Sequence, residues 1–338
     1  MLDPLALTRR FIDIPSVTGD ESAMAEAAAA VLRDIGFDVR FHLAAPDRPN
    51  VLATLDAPRV ILCSHIDTVP PFFPARDEGE YIYGRGACDT KGILAAMAAT
   101  AERLVHAGVR DVGLLWVVGE ETDSIGAKRA NVELELPDVR FTLVGEPTES
   151  KYALAQKGGL KWTLRVRGTA AHSGYPERGQ SAIDELVRLI GIVNATDWGR
   201  DPVLGPGTVN VGVVRGGLRA NIVPATAEAE LFVRVVDSAD AARARVQAII
   251  AGARLPVEWS EETSNDPQRL FAVPGAPTTV VAFNTDVPHL SNFGRRLLMG
   301  PGSILDAHGP NERIRRDDIL AAIGQYEHAV QVLRTLED

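Results

Sequence analysis

Val60-Ile61-Leu62-Cys63-Ser64-His65-Ile66-Asp67-Thr68-Val69-Pro70 passes from four apolar residues directly into a histidine and an aspartate two positions apart. An apolar run without polar alternation suits a parallel strand buried on both faces. Open α/β sheets build their sites beyond the carboxyl ends of such strands. The pattern returns in Leu114-Leu115-Trp116-Val117-Val118 and in Phe141-Thr142-Leu143-Val144. Between the first two runs, Ile93, Leu94, Met97, Ala101, Leu104 and Val105 recur at helical spacing before Gly108. Upstream, Met24, Ala28, Val31, Leu32 and Ile35 mark another amphipathic helix, with Asp20 as N-cap and Gly36 as terminator. Strands alternating with helices predict a mostly parallel α/β sheet with flanking helices.

From about Gly158 the period changes. Trp162-Thr163-Leu164-Arg165-Val166-Arg167 and residues 228–235 alternate polar with apolar, as strands with one wet face do. Helical stretches at 181–193 and 238–250 can cover the other face. These features predict a small α+β unit inserted at 156–262, between catalytic parts at 1–155 and 263–338. In the last part residues 278–283 read as a buried strand, and Ile319, Leu320, Ile323, Tyr326, Val330 and Leu333 as a closing helix.

The 338 residues leave room for two domains and a substantial core. Hydrophobic residues at 46% and charged residues at 24% exclude a disordered chain. Lys and Arg number 35 against 45 Asp and Glu, a net charge of −10 that argues against nucleic acid or an anionic membrane as partner and suits divalent cations. Two cysteines are too few for a disulfide framework and fit a reducing compartment. The N-terminus lacks the apolar core of a secretory signal, and no run reaches a membrane span. A cytoplasmic protein is expected.

Acidic residues gather at the ends of the inferred strands. In extended backbone His65 and Asp67 share a side, so the imidazole can bind a metal while Asp67 accepts the proton on its other nitrogen. Asp89 lies in the glycine-rich stretch 84–92 ahead of a helix, where it is either a simple N-cap or part of a tight functional turn. Glu120-Glu121 and Glu146 follow the other two runs. Neighbouring extended residues point opposite ways, so one of Glu120 and Glu121 can bind metal while the other handles protons; taken alone, the pair also reads as solvated loop carboxylates. Five carboxylates and an imidazole at one sheet edge repel unless cations compensate. A dinuclear site with Zn²⁺ or a similar ion is the simplest answer.

The ordered blocks SHIDTVP, YGRGACDTKG, VVGEET, VGEPT, RGTAAHSGYPERGQSAI, ANIVPATAEAELFVRV and GPGSILDAHGPNERI span nearly the whole chain. They resemble the co-catalytic metallohydrolases that include aminoacylase, acetylornithine deacetylase, succinyl-diaminopimelate desuccinylase and glutamate carboxypeptidase. The resemblance implies a zinc-exopeptidase-like catalytic domain with a ferredoxin-like lid that also dimerises. It implies that Asp89 bridges two metals, His65 and Glu146 completing one site and Glu121 and His308 the other. Glu120 becomes the general base and Asp67 orients His65. It also implies that His172 stabilises the oxyanion, in dimeric relatives from the other subunit, that Asn221 and Arg234 grip the substrate, that Gly302 lines the pocket through its backbone, and that the Asp89–Thr90 peptide is cis. The expected reaction is hydrolysis of the amide of an N-acyl amino acid or short peptide, of deacetylase, carboxypeptidase or dipeptidase type, with two zinc, cobalt or manganese ions and a homodimer formed through the lid. The alternatives are a binding protein that has lost hydrolysis and a different two-metal hydrolase. His42, His106, His289 and His328, with Cys63 and Cys88, read as structural.

Overall fold

A computed structural model describes residues 1–336. The chain forms two compact units: Met1–Leu154 with Leu270–Thr279 and everything from Thr285 on, and Ala155–Arg269 with Val280–Asn284.

In the first unit the strand order is Asp38–Ala45, Arg48–Thr54, Val112–Val117, Val60–His65, Phe141–Val144, Arg295–Leu298. The first two strands form an antiparallel hairpin, the second also running antiparallel to Val112–Val117; the other pairings are parallel. Every residue of Val60–His65, Val112–Val117 and Phe141–Val144 is buried, as their unbroken apolar sequences require. Register decides the rest. His65 sits opposite Val117, Cys63 opposite both Leu115 and Val144, and Val144 opposite Leu298, so the strands end almost level and deliver the segments that follow to one edge.

The helix Gly92–His106 is buried along most of its length. The helix Ser22–Ile35 stops at Gly36, whose φ of 111° is left-handed, as a terminating glycine requires. Its expected cap does not form. Glu21, not Asp20, holds the N-cap position, and the Glu21 carboxylate turns instead to Arg48 at 2.6 and 2.9 Å. The expected buried strand at 278–283 is also corrected. Only Thr278–Val281 is extended, it is largely accessible, and it belongs to a separate three-stranded sheet. The sixth place in the main sheet goes to Arg295–Leu298, whose two arginines disguise an edge strand.

The second unit is an antiparallel sheet in the order Thr208–Gly216, Thr226–Val235, Gly158–Arg167, Val257–Asn265. Burial alternates strictly along Thr226–Val235. The helices Ala182–Ala195 and Ala239–Ala251 seal the apolar face, Leu186, Leu189, Val193 and Val246 joining Trp162, Leu164, Leu231 and Val233 in one core. This unit runs past the expected limit of 262 because Val257–Asn265 keeps its register to the end, Asn265 opposite Gly159, and the chain rejoins the first unit at Leu270.

Candidate metal centre

The loop carrying Asp89 is shaped by its glycines. Gly86 has φ 84°, and a Cβ there would stand 2.9 Å from both Thr68 Cγ2 and Lys91 Cδ. The backbone turns through Ala87–Lys91 before the α-helix begins at Gly92, with Lys91 in the N-cap position, so Asp89 caps nothing. The Asp89–Thr90 peptide is cis. Hydroxyls tie this loop to the strand ends: Thr90 Oγ1 donates to the His65 carbonyl at 2.7 Å and lies 2.9 Å from Ser64 Oγ, which is itself 2.9 Å from the Gly145 carbonyl.

Asp89 is the centre of the cluster. Its Oδ1 is 3.0 Å from His65 Nε2 and its Oδ2 is 3.2 Å from His308 Nε2. His308 Nε2 is 3.0 Å from Glu121, and His65 Nε2 is 3.8 Å from Glu146 Oε1. One ligand atom from each of His65, Asp89 and Glu121 falls within 4.8 Å of the others. His65 Nδ1 is 3.0 Å from the Asp67 backbone carbonyl and 3.5 Å from its Oδ1. The Asp67 carboxylate also accepts the backbone N–H groups of Glu120 and Glu121, at 3.1 and 3.2 Å, and the Thr18 hydroxyl at 2.7 Å. Asp67 therefore positions the Glu120-Glu121 turn as well as His65.

The donor set fits a cation. A carbonyl only accepts, so His65 Nδ1 must donate to it, and in the neutral ring Nε2 then carries a lone pair aimed at two carboxylates. That arrangement is repulsive unless the ring is protonated or a positive ion lies among the three groups. Glu146 Oε1 makes the same point, being buried with no hydrogen-bond partner among the described residues. Without an ion, burial and then the charge of Asp89 push Glu146 well above the usual carboxylate range, and burial followed by the charge of Glu146 does the same to Glu120. Burial would depress His65, but its hydrogen bonds to Asp67 and Asp89 outweigh this and raise it. Hydrogen bonds to Asp89 and Glu121 lift His308 to about 10. The imidazoles thus hold protons where a metal ion would supply the same positive charge.

Gly302 has φ 81°, and its carbonyl accepts from Glu149 N at 2.7 Å, so it pins the loop after Glu146. The other three sequence-predicted residues belong to the second unit. His172 pairs with Ile222, and Ser173 N donates to the Asn221 carbonyl at 3.0 Å, which brings His172 and Asn221 together. Gly174 N donates to His172 Nδ1 at 3.0 Å. Arg234 lies over the Phe232 ring at 4.3 Å.

Two residues escaped the sequence reading. Glu312, fully buried, accepts the backbone N–H groups of Cys88 and Asp89 on one oxygen, at 3.2 Å each, and Arg85 Nη1 on the other at 2.6 Å. Asp286 is buried, which raises it to about 7, and its negative charge pushes Glu120 and Glu146 further up. Glu312 was visible within GPGSILDAHGPNERI, four residues after His308; Asp286 has no local signal.

Imidazoles and carboxylates converging beyond the strand ends of a mostly parallel α/β sheet are the donor types that hold a divalent ion in metal-dependent hydrolases. The chain belongs to peptidase family M20/M25/M40, whose family model matches residues 61–332, and it is a hydrolase of peptide bonds. It is 37% identical over 340 residues to an M20 domain-containing protein of Schizosaccharomyces pombe, covering 96% of this chain and 84% of that one. A probable carboxypeptidase of Aspergillus clavatus is 36% identical over 371 residues, 97% and 82% being covered. The fold matches a tripeptidase of Staphylococcus aureus with a TM-score of 0.84 at 21% identity, over 98% of both chains.

Proposed function

We propose that the protein binds two divalent ions and releases an amino acid from a short peptide or an N-acyl amino acid. The observation that carries this reading is Asp89, whose two oxygens each face a different imidazole. His65 and Glu146 would complete one site with Asp89, and Glu121 and His308 the other. Zinc suits these nitrogen and oxygen donors, as do cobalt and manganese. When bound, the ions lower the pKa of a water and polarise the scissile carbonyl.

The rest is the work of the chain's own groups. Glu120 takes the proton of the attacking water and returns it to the leaving amine, and Asp67 holds it in place through its backbone N–H. Because Gly174 N donates to Nδ1 of His172, the neutral ring carries its proton on Nε2 and serves as donor to the developing oxyanion. Asn221 assists beside it. Arg234, steadied on Phe232, binds the substrate carboxylate, while Gly302 shapes the wall of the site.

In the same reading the second unit is a lid that pairs with its twin. Thr208–Gly216 lies at the edge of its sheet, and Val187, Val214 and Leu218 are exposed at 61%, 55% and 86%. Homodimers are expected in sedimentation at micromolar concentration, and a monomer would remove a trans role for His172. Two buried, unpaired cysteines support a cytoplasmic location.

Glu120→Gln tests the chemistry. Turnover in an amine-release screen over dipeptides and N-acetyl and N-succinyl amino acids should fall by about 10²–10⁴-fold. Metal content should stay that of the parent. Retained turnover would refute the role of Glu120.

A further inference from the structure

A cavity adjoins the cluster at His308. Pro71, Phe73, Pro74, Tyr83 and Pro310 wall a cavity of about 710 Å³ that His308 also lines. This volume is within the range of about 300–1,000 Å³ typical of small-molecule sites. Its surface is chiefly apolar and stays open to solvent: the three prolines are exposed, and Phe72 beside them is 37% exposed. An apolar patch bordering a reaction centre marks a binding surface more readily than a fold defect.

The aromatic walls are held in place. Arg85 stacks on Phe73 with its guanidinium 4.9 Å from the ring centre, and Arg85 is itself buried and fixed by Glu312 and by the Pro71 carbonyl at 3.2 Å. Tyr83 lies beneath Arg76 at 4.6 Å, and Arg313 Nη1 reaches its hydroxyl at 3.4 Å. Prolines contribute stiffness of their own, since their φ is fixed. A cavity with rigid walls loses little conformational entropy when filled, so burial of an apolar group translates efficiently into affinity.

His308 lines this cavity, and its Nε2 faces Asp89 and Glu121, so one residue joins the cavity to the candidate metal centre. We infer that this cavity receives a large apolar or aromatic side chain of the substrate, on a residue flanking the scissile amide, and that Phe73, Pro74 and Tyr83 determine this preference. The inference rests on the hydrolase reading above and specifies its substrate class as short peptides or acyl amino acids bearing Leu, Met or Phe beside the cleaved bond.

Two measurements separate the inference from the reading beneath it. In the first, kcat/KM of the metal-loaded parent is compared for dipeptides carrying Phe, Leu, Ala or Gly at each of the two positions. A preference of about 10–100-fold for Phe or Leu over Gly is expected at one position, as full burial of such a side chain allows. Phe73→Ala should reduce that ratio about tenfold. Pro74→Trp, at an exposed position that tolerates bulk, should fill the cavity and turn the preference toward Gly and Ala.

In the second, calorimetry follows Phe-containing and Gly-containing dipeptides binding to Glu120→Gln protein, alone and combined with Phe73→Ala. Tighter binding of the Phe dipeptide that is lost with Phe73 supports the cavity whether or not the parent shows turnover. Discrimination in binding with no hydrolysis of the dipeptides by the parent would refute the dipeptide part of the proposed function and leave the cavity standing. Ratios unchanged in both Phe73→Ala and Pro74→Trp, or no discrimination between the dipeptides, would overturn the inference while hydrolysis itself remained.

Discussion

Glu312 shows how much a site depends on residues that never touch substrate. Its carboxylate holds Cys88 and Asp89 by their backbone N–H groups and Arg85 by its guanidinium, and its own carbonyl accepts from Gly84 N at 3.0 Å. The loop that presents Asp89 is thereby fastened to the segment that presents His308. Glu312→Ala should weaken metal binding by about 10–100-fold, the usual cost of removing a partner behind the ligands. Titration of metal-free protein with Zn²⁺ against a chelator reads this directly. The visible spectrum of the cobalt form should also change, which a loss of stability alone would not produce. Glu312→Gln, which keeps an oxygen to face the two N–H groups, should recover part of the affinity; parental affinity in both variants would show that Glu312 does not position Asp89. The ligand-type residues were legible because imidazole and carboxylates at strand ends have few structural reasons to gather. Asp286 was not, since a lone acid in a loop becomes meaningful only when folding buries it.

At the scale of elements, the fully buried strands were legible because burial on both faces forces an unbroken apolar run, and the second sheet because one wet face forces alternation. The hairpin Asp38–Ala45 and Arg48–Thr54 was not. Its first strand is mostly accessible and its second carries Arg48, Pro49 and Asn50, so neither pattern develops. In the second unit the helix Ala182–Ala195 contributes Leu186, Leu189 and Val193 to the core, with Ser181 capping it by accepting from Asp184 N. Leu189 is fully buried. Leu189→Ala should destabilise this unit by about 2–5 kcal/mol, the cost of a cavity in a packed core. Urea unfolding followed by the fluorescence of Trp162 and Trp198, both buried in that core, measures it.

For the molecule as a whole, acid should act partly through His289, a residue without a catalytic part. Burial, with a smaller contribution from Lys128, lowers it from 6.5 to about 4. The unfolded chain therefore takes up a proton near pH 6.5 while the folded chain resists until about 4, so the stability linked to this group is present above 6.5 and lost as pH falls toward 4. His289→Gln should lose less stability than the parent over that interval, as urea midpoints at its two ends would show. No helix among the described residues is long and apolar enough to cross a membrane, in line with the mixed composition. By itself the sequence determined the sheet class, the change of fold in mid-chain and the chemical types gathered at the strand ends, because burial and period are imposed locally on residue type. Only the tertiary structure decided that Asp89 faces both imidazoles, that Glu312 secures its loop and that prolines and aromatics enclose a cavity beside His308. These follow from strand register and chain crossings that bring together residues more than 200 positions apart, such as Asp89 and Glu312, and no local pattern encodes such distances.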